Sequence, residues 1–264
     1  MTVIPIPEFA PDLPDVPSST SDTILNVLPA TPISYGPLPS LQAYATALTA
    51  RCQGAISIKD NTGVVRIFSG DASKLYRLTS ASTTPADVKK VGGYTTSPSG
   101  VWSFCLFGTR VIATNYTDPP QSYVEGTSAL FADCITSGLT SLKSKYVATV
   151  RDFVVFANTV DGTYGTRPQR VHWCAINDPT NVPTPGTTAA ANALSDFQDI
   201  VGDHGQIVGI AGNLGTASAG IFMERAVWRM NYAGQPDIFD FSTVQGARGL
   251  ISPGALVQFG PDAY

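Results

Sequence analysis

Charged side chains are scarce in this sequence. Of its 264 residues, 14% are Asp, Glu, Lys or Arg, against roughly 25% in an average soluble domain. Long surface helices need charged residues on their solvent faces, so this scarcity argues against a helical fold. The formal net charge of −4 argues against a nucleic-acid-binding protein that works through a broad cationic surface.

The sequence also argues against a His-rich metal centre, a membrane span and a signal peptide. Two histidines leave little material for a His-rich metal centre. No run approaches the roughly 18 apolar residues of a membrane span, and the start has no basic region of a signal peptide. The dispersed cysteines form no C-x-x-C pair, so we expect reduced core thiols in a protein assembled in the cytosol. They are Cys52, Cys105, Cys134 and Cys174.

The sequence is rich in turn-forming and apolar residues instead. It contains 24 Gly and 20 Pro and is 43% hydrophobic, which favours short strands joined by turns. Groups of strand-like runs begin near residues 54, 101, 145 and 206. A β unit of three to four antiparallel strands that recurs every 40 to 50 residues predicts β-propeller-like blades in an all-β fold. A polar insertion at 177–198 explains the longer third interval, and a meandering sandwich is the alternative fold.

Two domains are expected. Residues 51–264 form the propeller-like body of about four blades, with a fifth interrupted at the C-terminus. Residues 1–50 hold nine of the 20 prolines and no Lys or Arg, which predicts an extended N-terminal arm and linker without an internal sheet strand. The arm packs either on its own domain or on a neighbouring subunit. The hypothetical interface residues between its prolines are Ile4, Ile6, Phe9, Leu13 and Val16.

No group of residues in the sequence favours a catalytic or metal-binding site over a structural role. His172 and Cys174 share one face of a predicted strand, but no third group would orient them as base and nucleophile. His204 lies between Asp199 and Asp203 in a turn-like loop, which offers too few ligands for a metal site. We therefore predict no catalytic residues, no metal, no cofactor and no enzymatic activity.

Two short patterns also favour structural interpretations. The residues at 60–63, Asp-Asn-Thr-Gly, lack the alternating carboxylates of a calcium loop and predict a hairpin turn. The residues at 115–117, Asn-Tyr-Thr, match the glycosylation pattern, which is uninformative without a secretion signal.

Several segments of the body share a blade-like pattern. They are 206–211 (QIVGIA), 220–230 (GIFMERAVWRM), 239–241 (FDF), 249–257 (GLISPGALV) and 170–181 (RVHWCAINDPTN). The proline-rich start contains 9–15 (FAPDLPD), 26–29 (NVLP) and 35–39 (YGPLP). Together these segments resemble short-tailed bacteriophage tail proteins, a family that comprises the tail nozzle, tail tubular protein B and tail-stabilisation (hub) proteins.

This resemblance implies a structural component of the virion tail, assembled in the host cytoplasm. Its partners would be identical subunits in a ring, expected to be a hexamer, together with a portal-side adaptor and other tail proteins. Genome DNA would pass through the ring during ejection without tight binding. The low charge is compatible with such passage, because strong phosphate contacts would retain DNA.

Two other functions remain open. A propeller-type module that binds or processes host glycans would gather charged or aromatic residues on the loops of one face. The candidate charged residues are Asp199, Asp203, Glu224 and Arg225. The candidate aromatic residues are Tyr116, Tyr123 and Tyr164. A head-surface decoration protein, expected to be a compact complete domain, is the third possibility.

Overall fold

The structure, a computed structural model, describes residues 8–9, 20–21, 27–31, 34–37, 40, 42–215 and 217–264. The chain divides into two units, Met1–Tyr44 and Ala45–Tyr264. The predicted boundary at residue 50 and the interrupted fifth blade stay predictions.

The described residues of the first unit form two small sheets. Strands β1 (Glu8–Phe9) and β2 (Thr20–Ser21) pair in parallel, and β3 (Val27–Thr31) and β4 (Ser34–Pro37) pair antiparallel. Every strand of a two-stranded sheet is an edge strand, so prolines interrupt no internal ladder. Of the hypothetical interface residues, Phe9 lies in β1. Ile4, Ile6, Leu13 and Val16 lie outside the described residues.

Four antiparallel four-stranded sheets, called blades 1 to 4, make up most of the second unit. Blade 1 comprises β5 (Gly54–Lys59), β6 (Val65–Gly70), β7 (Leu75–Thr79) and β8 (Ala86–Asp87). Blade 2 comprises β9 (Ser103–Phe107), β10 (Arg110–Thr114), β11 (Gln121–Val124) and β12 (Ala132–Asp133). Blade 3 comprises β14 (Lys143–Val150), β15 (Phe153–Asp161), β16 (Gly165–Trp173) and β18 (Asp196–Asp199). Blade 4 comprises β19 (Ile207–Leu214), β20 (Ser218–Met223), β21 (Val227–Tyr232) and β22 (Phe239–Gln245).

The first strands of the blades, called the inner strands, contact one another in chain order from β5 through β9 and β14 to β19. Consecutive four-stranded meanders that pack through their first strands define a β-propeller-like body. The inner strands begin at Gly54, Ser103, Lys143 and Ile207, which lie within two residues of the predicted starts. The predicted fold class is therefore confirmed.

The inner strands approach so closely that two glycines are required. A Cβ atom on Gly54 would lie 2.2 Å from the carbonyl oxygen of Trp102, and one on Gly212 would lie 2.2 Å from that of Thr149. No L side chain fits at such distances, so backbone packs directly on backbone where neighbouring blades meet.

The polar insertion lies between the third and fourth strands of blade 3. It contains β17 (Asn181–Val182) and helix α1 (Thr188–Ala193), and β17 pairs in parallel with β13 (Ser137–Gly138). The Thr187 hydroxyl accepts a hydrogen bond from the Ala190 N–H and thereby caps the helix, whose alanines favour helix. The sequence predicted the insertion but not its helix.

Two apolar cores lie between the blades. One packs blade 1 against blade 2 around Phe68 and Trp102, and the other joins blades 2 to 4 around Phe153 and Trp173. Among the described residues, no helix has the length and apolarity needed to cross a bilayer.

A turn motif recurs where the second strand of blades 1, 2 and 3 ends. Asp71, Asn115 and Asp161 each accept hydrogen bonds from the backbone N–H groups two and three residues later. Each is followed two positions later by Ser or Thr. The motif is a sequence repeat with a structural cause, because an Asx side chain can close the turn by itself.

The last fifteen residues cover blade 4. A 3-10 turn (Pro253–Ala255) leads to β23 (Gln258–Phe259) and β24 (Asp262–Ala263), which pair as a short hairpin. The Gln258 amide donates to the Gly212 carbonyl at 2.6 Å. This C-terminal segment, residues 250–264, therefore packs on the inner strand of blade 4.

Candidate functional site

A cavity of about 560 Å³ lies where the inner strands of blades 2 and 3 begin. Four segments line it: 97–101 before β9, 115–117 after β10, 145–146 in β14 and 252–254 in the C-terminal segment. We call it the mouth cavity. Its volume falls within the range of small-molecule binding pockets.

Hydroxyl and aromatic side chains dominate the polar lining of the mouth cavity. The residues are Ser97, Ser99, Asn115, Tyr116, Thr117, Tyr146 and Ser252. Hydroxyls can both donate and accept hydrogen bonds. Such a lining suits a ligand that carries many hydroxyl groups of its own.

The turn motif of blade 2 positions Tyr116. The Asn115 amide donates to Thr96 Oγ1 at 3.0 Å and to Asp118 Oδ2 at 2.9 Å, while its oxygen accepts from the backbone of Thr117 and Asp118. Tyr116 is held at a φ of 69°, which few non-glycine residues adopt. The side-chain nitrogen of Asn115, to which a glycan would be attached, therefore already donates two hydrogen bonds within the fold.

Lys145 faces this tyrosine across the blade boundary. Its Nζ lies 5.1 Å from the centroid of the Tyr116 ring and donates to Gln206 Oε1 at 3.1 Å. It is the one charged residue among the described residues that line the mouth cavity. The ion pairs found in the described part of the chain do not include it.

Tyr146 supplies a second polar group. The residue is 8% exposed, and burial raises the pKa of its hydroxyl to about 12. The hydroxyl therefore stays protonated at neutral pH. The hydroxyl forms no hydrogen bond within the described residues, and the residue also belongs to the apolar core that joins blades 2 to 4.

Two smaller cavities mark the axis and the opposite end of the inner strands. One, about 230 Å³ and called the axial cavity, is lined by all four inner strands and Gln258. The other, about 350 Å³, lies between the 60–62 turn of blade 1 and the 108–109 turn of blade 2. Three of its charged residues pair with each other, because Arg66 contacts both Asp60 and Glu125. Neither matches the mouth cavity in size.

The histidine and cysteine of β16 are both packed in the core. His172 and Cys174 are 0% exposed, and the Cys174 sulfur accepts from the Val154 N–H. Burial, with the Arg170 charge, lowers the pKa of His172 to about 4. Neither ring nitrogen of His172 has a hydrogen-bond partner among the described residues.

The aspartates near His204 in the sequence form ion pairs with arginines. Asp199 forms a bidentate pair with Arg170, with both distances 2.7 Å, and Asp203 pairs with Arg225. The ring of His204 packs edge-on against Trp228. Glu224 accepts from the Gln206 amide. No group of metal ligands forms among the residues that the structure describes.

The three candidate aromatics differ in position. Tyr116 lines the mouth cavity. Tyr123 is buried in the core between blades 1 and 2, and Tyr164 covers the Arg170 guanidinium, whose Cζ lies 4.8 Å from its ring centroid. Asp60 closes the β5–β6 turn as predicted, accepting from Thr62 and Val64.

The cysteines separate into two groups. Cys105, Cys134 and Cys174 are buried and free, whereas Cys52 is free and exposed. The expectation of core thiols therefore holds for three positions and is wrong for Cys52. Burial raises the pKa of Cys105 to about 12 and that of Cys134 to about 11.

Sequence reasoning missed Lys145, Tyr146 and the 252–254 segment as neighbours of Tyr116. The Asx-x-Ser/Thr repeat was present in the sequence and could have identified the turn that carries Tyr116. The approach of Lys145 depends on the packing of blade 3 against blade 2, which no local pattern encodes.

Matches to known proteins come from solved structures. No protein-family model matches the sequence, and the search of curated proteins gave no match. Among solved structures, the chain is similar to BamB from Moraxella catarrhalis, with 14% identity, a TM-score of 0.42, and coverage of 79% of this chain and 52% of BamB. It is also similar to BBS1N in complex with ARL6DN, with 11% identity, a TM-score of 0.46, and coverage of 87% and 62%. The PQQ-bound aldose sugar dehydrogenase from Streptomyces coelicolor gives 13% identity, a TM-score of 0.31, and coverage of 78% and 84%.

The chain thus spans about half of the length of BamB and 62% of BBS1N. The four blades themselves define a propeller-type fold. Identities and TM-scores this low carry no argument about what it binds.

Proposed function

We propose that this module binds carbohydrate in the mouth cavity. The observation that carries the proposal is the lining itself, in which an aromatic ring and several hydroxyl side chains share one cavity of about 560 Å³. A sugar presents apolar C–H faces that pack on an aromatic ring and hydroxyls that hydrogen-bond to polar side chains. Tyr116 supplies the ring, and Ser97, Ser99, Thr117 and Tyr146 supply the polar partners.

We propose binding without hydrolysis. Glycoside hydrolysis normally uses two carboxyl groups that flank the scissile bond. The described residues that line the mouth cavity include no Asp or Glu, while Asp199 and Asp203 pair with arginines elsewhere. The cavity therefore supplies contacts for a sugar but no acid–base pair.

The virion-tail function remains a prediction from sequence resemblance. The ring, the adaptor, the passage of DNA and the tail location all depend on that resemblance alone. Carbohydrate binding does not conflict with a place in a virion, because a tail protein can also contact the host surface.

A glycan array that carries neutral and acidic oligosaccharides tests the proposal. We expect the protein to be retained on a subset of the glycans and Tyr116→Asn to weaken that retention roughly tenfold, because a central aromatic contact is lost. Asn tolerates the positive φ of this position, so the turn is kept. Tyr264→Ala is the matched control, since Tyr264 is 76% exposed and lies outside the cavity. Absence of retention, or equal retention by Tyr116→Asn, would contradict the proposal.

A further inference from the structure

The charge inside the mouth cavity is uncompensated. Lys145 is half-buried in β14 and lines the cavity. Its ammonium group contacts a neutral amide, Gln206, and the face of a neutral ring, Tyr116. The carboxylate closest in the chain to this turn, Asp118, accepts from Asn115 and from the Thr95 backbone instead. An ammonium group in this setting lacks the counter-charge that partly buried cations normally have.

The two contacts of Lys145 also fix its position. Gln206 accepts one hydrogen bond at 3.1 Å, and the Tyr116 ring attracts the cation at 5.1 Å. An ammonium group has three N–H donors, so two remain for a ligand. Because these contacts already hold the side chain, binding an anion would cost little of its conformational entropy.

A further polar group points to the same ligand chemistry. The buried residue Tyr146, next to Lys145 on β14, also lines the cavity, and its hydroxyl has no hydrogen-bond partner in the described part of the chain. A protonated hydroxyl donates a strong hydrogen bond to an anionic oxygen. The lining thus combines one cationic donor, Lys145, with a tyrosine whose hydroxyl is unpaired, among otherwise neutral groups.

On this basis we propose that the sugar bound in the mouth cavity is acidic, with a carboxylate or sulfate group that pairs with Lys145; this inference rests on the proposed carbohydrate binding. A single cation among hydroxyls suits one anionic substituent on a polar ligand. A polyanion such as a nucleic acid needs several cationic contacts, and the protein carries a net charge of −4. Sugar contacts thus supply the bulk of the interface, and Lys145 selects the charged form.

Three probes separate the contributions of charge and sugar. They are trigalacturonate, its trimethyl ester and a sulfated disaccharide, each titrated calorimetrically into the intact protein. We expect the acid to bind about two- to fivefold more tightly than the ester, as for one partly exposed ion pair. The preference should fall as ionic strength rises, because salt screens the pair. Sulfate binding that also depends on Lys145 would extend the ligand class to sulfated sugars, and its absence would restrict the class to carboxylates.

Two lysine variants make the assignment specific. Lys145→Gln removes the charge and keeps an amide that can donate to Gln206, so it should bind acid and ester equally. Lys143→Gln makes the same charge change on the same strand outside the cavity lining, and it should keep the preference.

The outcomes distinguish this inference from the function on which it rests. Equal binding of acid and ester by the unmodified protein, or a preference that survives in Lys145→Gln, would overturn the acidic ligand and leave carbohydrate binding in place. Failure of all three probes to bind, together with an empty glycan array, would overturn both.

Discussion

Burial of His172 without hydrogen-bond partners makes its charged form costly. His172 lies on β16, which pairs with β15 and β18, and its ring centroid is 6.2 Å from that of Phe197. Burial and the Arg170 charge lower the pKa of His172 to about 4. Asp161 and Asp199 act in the opposite direction and are outweighed. The folded protein therefore holds neutral histidine under conditions in which the unfolded chain takes up a proton.

This difference predicts a specific loss of stability in mild acid. The ordinary pKa of histidine is 6.5 and the folded value is about 4, so stability is complete above pH 6.5 and falls as pH drops towards 4. Between pH 7.5 and 5 the loss should be about 2 kcal/mol. Urea unfolding at both pH values measures it.

Variants assign that loss to the residue. His172→Phe should abolish the loss at little cost, because no hydrogen bond within the described fold is broken; His172→Leu serves if the larger ring does not fit. His204→Gln, at the other histidine, should keep it. The same loss in His172→Phe as in the unmodified protein would contradict the assignment.

At the scale of elements, a charged clamp joins blades 1 and 2. Glu125, just after β11, accepts from Arg77 on β7 at 2.9 Å and from Arg66 on β6 at 3.3 Å. Its side chain is 7% exposed. Desolvation raises the pKa of Glu125, but the hydrogen bonds and charges of the two arginines outweigh it and hold the value below normal. Glu125 thus stabilises the contact between two blades when it is ionised.

Removing the charge of Glu125 should loosen this contact. Glu125→Gln leaves two arginines with less compensation, and we expect a loss of about 2 kcal/mol in the free energy of unfolding by urea. Asp87→Asn is the control, because Asp87 contacts Lys74 and Lys89 at a more exposed site and should cost less than about 1 kcal/mol. Equal losses in the two variants would show that the clamp does not hold the blades together.

The sequence predicts strands, which depend on local patterns, better than contacts between residues that are far apart in the chain. Apolar alternation located the inner strands to within two residues, because each strand must bury one face. Contacts such as those of Lys145 with Tyr116 and Gln206, or of Glu125 with Arg66, join residues 29 to 61 positions apart. They arise only after the blades pack, and no local signal precedes them. The arm residues near Ile4 remain a hypothesis, since the described residues do not include them.

At the scale of the whole second unit, the C-terminal segment joins the inner strands in lining one cavity. All four inner strands and Gln258 line the axial cavity. Gly209 of β19 has no side chain, and a Cβ atom there would lie 2.9 Å from Leu256 and 3.1 Å from Leu250. The Leu250 N–H also donates to the Met223 carbonyl at 2.8 Å. The two leucines therefore occupy the space that the glycine leaves.

This packing predicts that the C-terminal segment unfolds together with the blades. Leu256 is half-buried, so Leu256→Ala should lower the free energy of unfolding by about 1 kcal/mol through lost apolar burial. Val257→Ala is the matched control, because Val257 is the next residue and is 60% exposed, and its loss should stay within about 0.5 kcal/mol. Urea unfolding followed by tryptophan fluorescence measures both losses. Trp102 directly precedes blade 2, Trp173 lies in blade 3 and Trp228 lies in blade 4. A separate transition at low urea that shifts in Leu256→Ala, while the main transition stays unchanged, would contradict this prediction. It would show that residues 250–264 unfold independently of the blades.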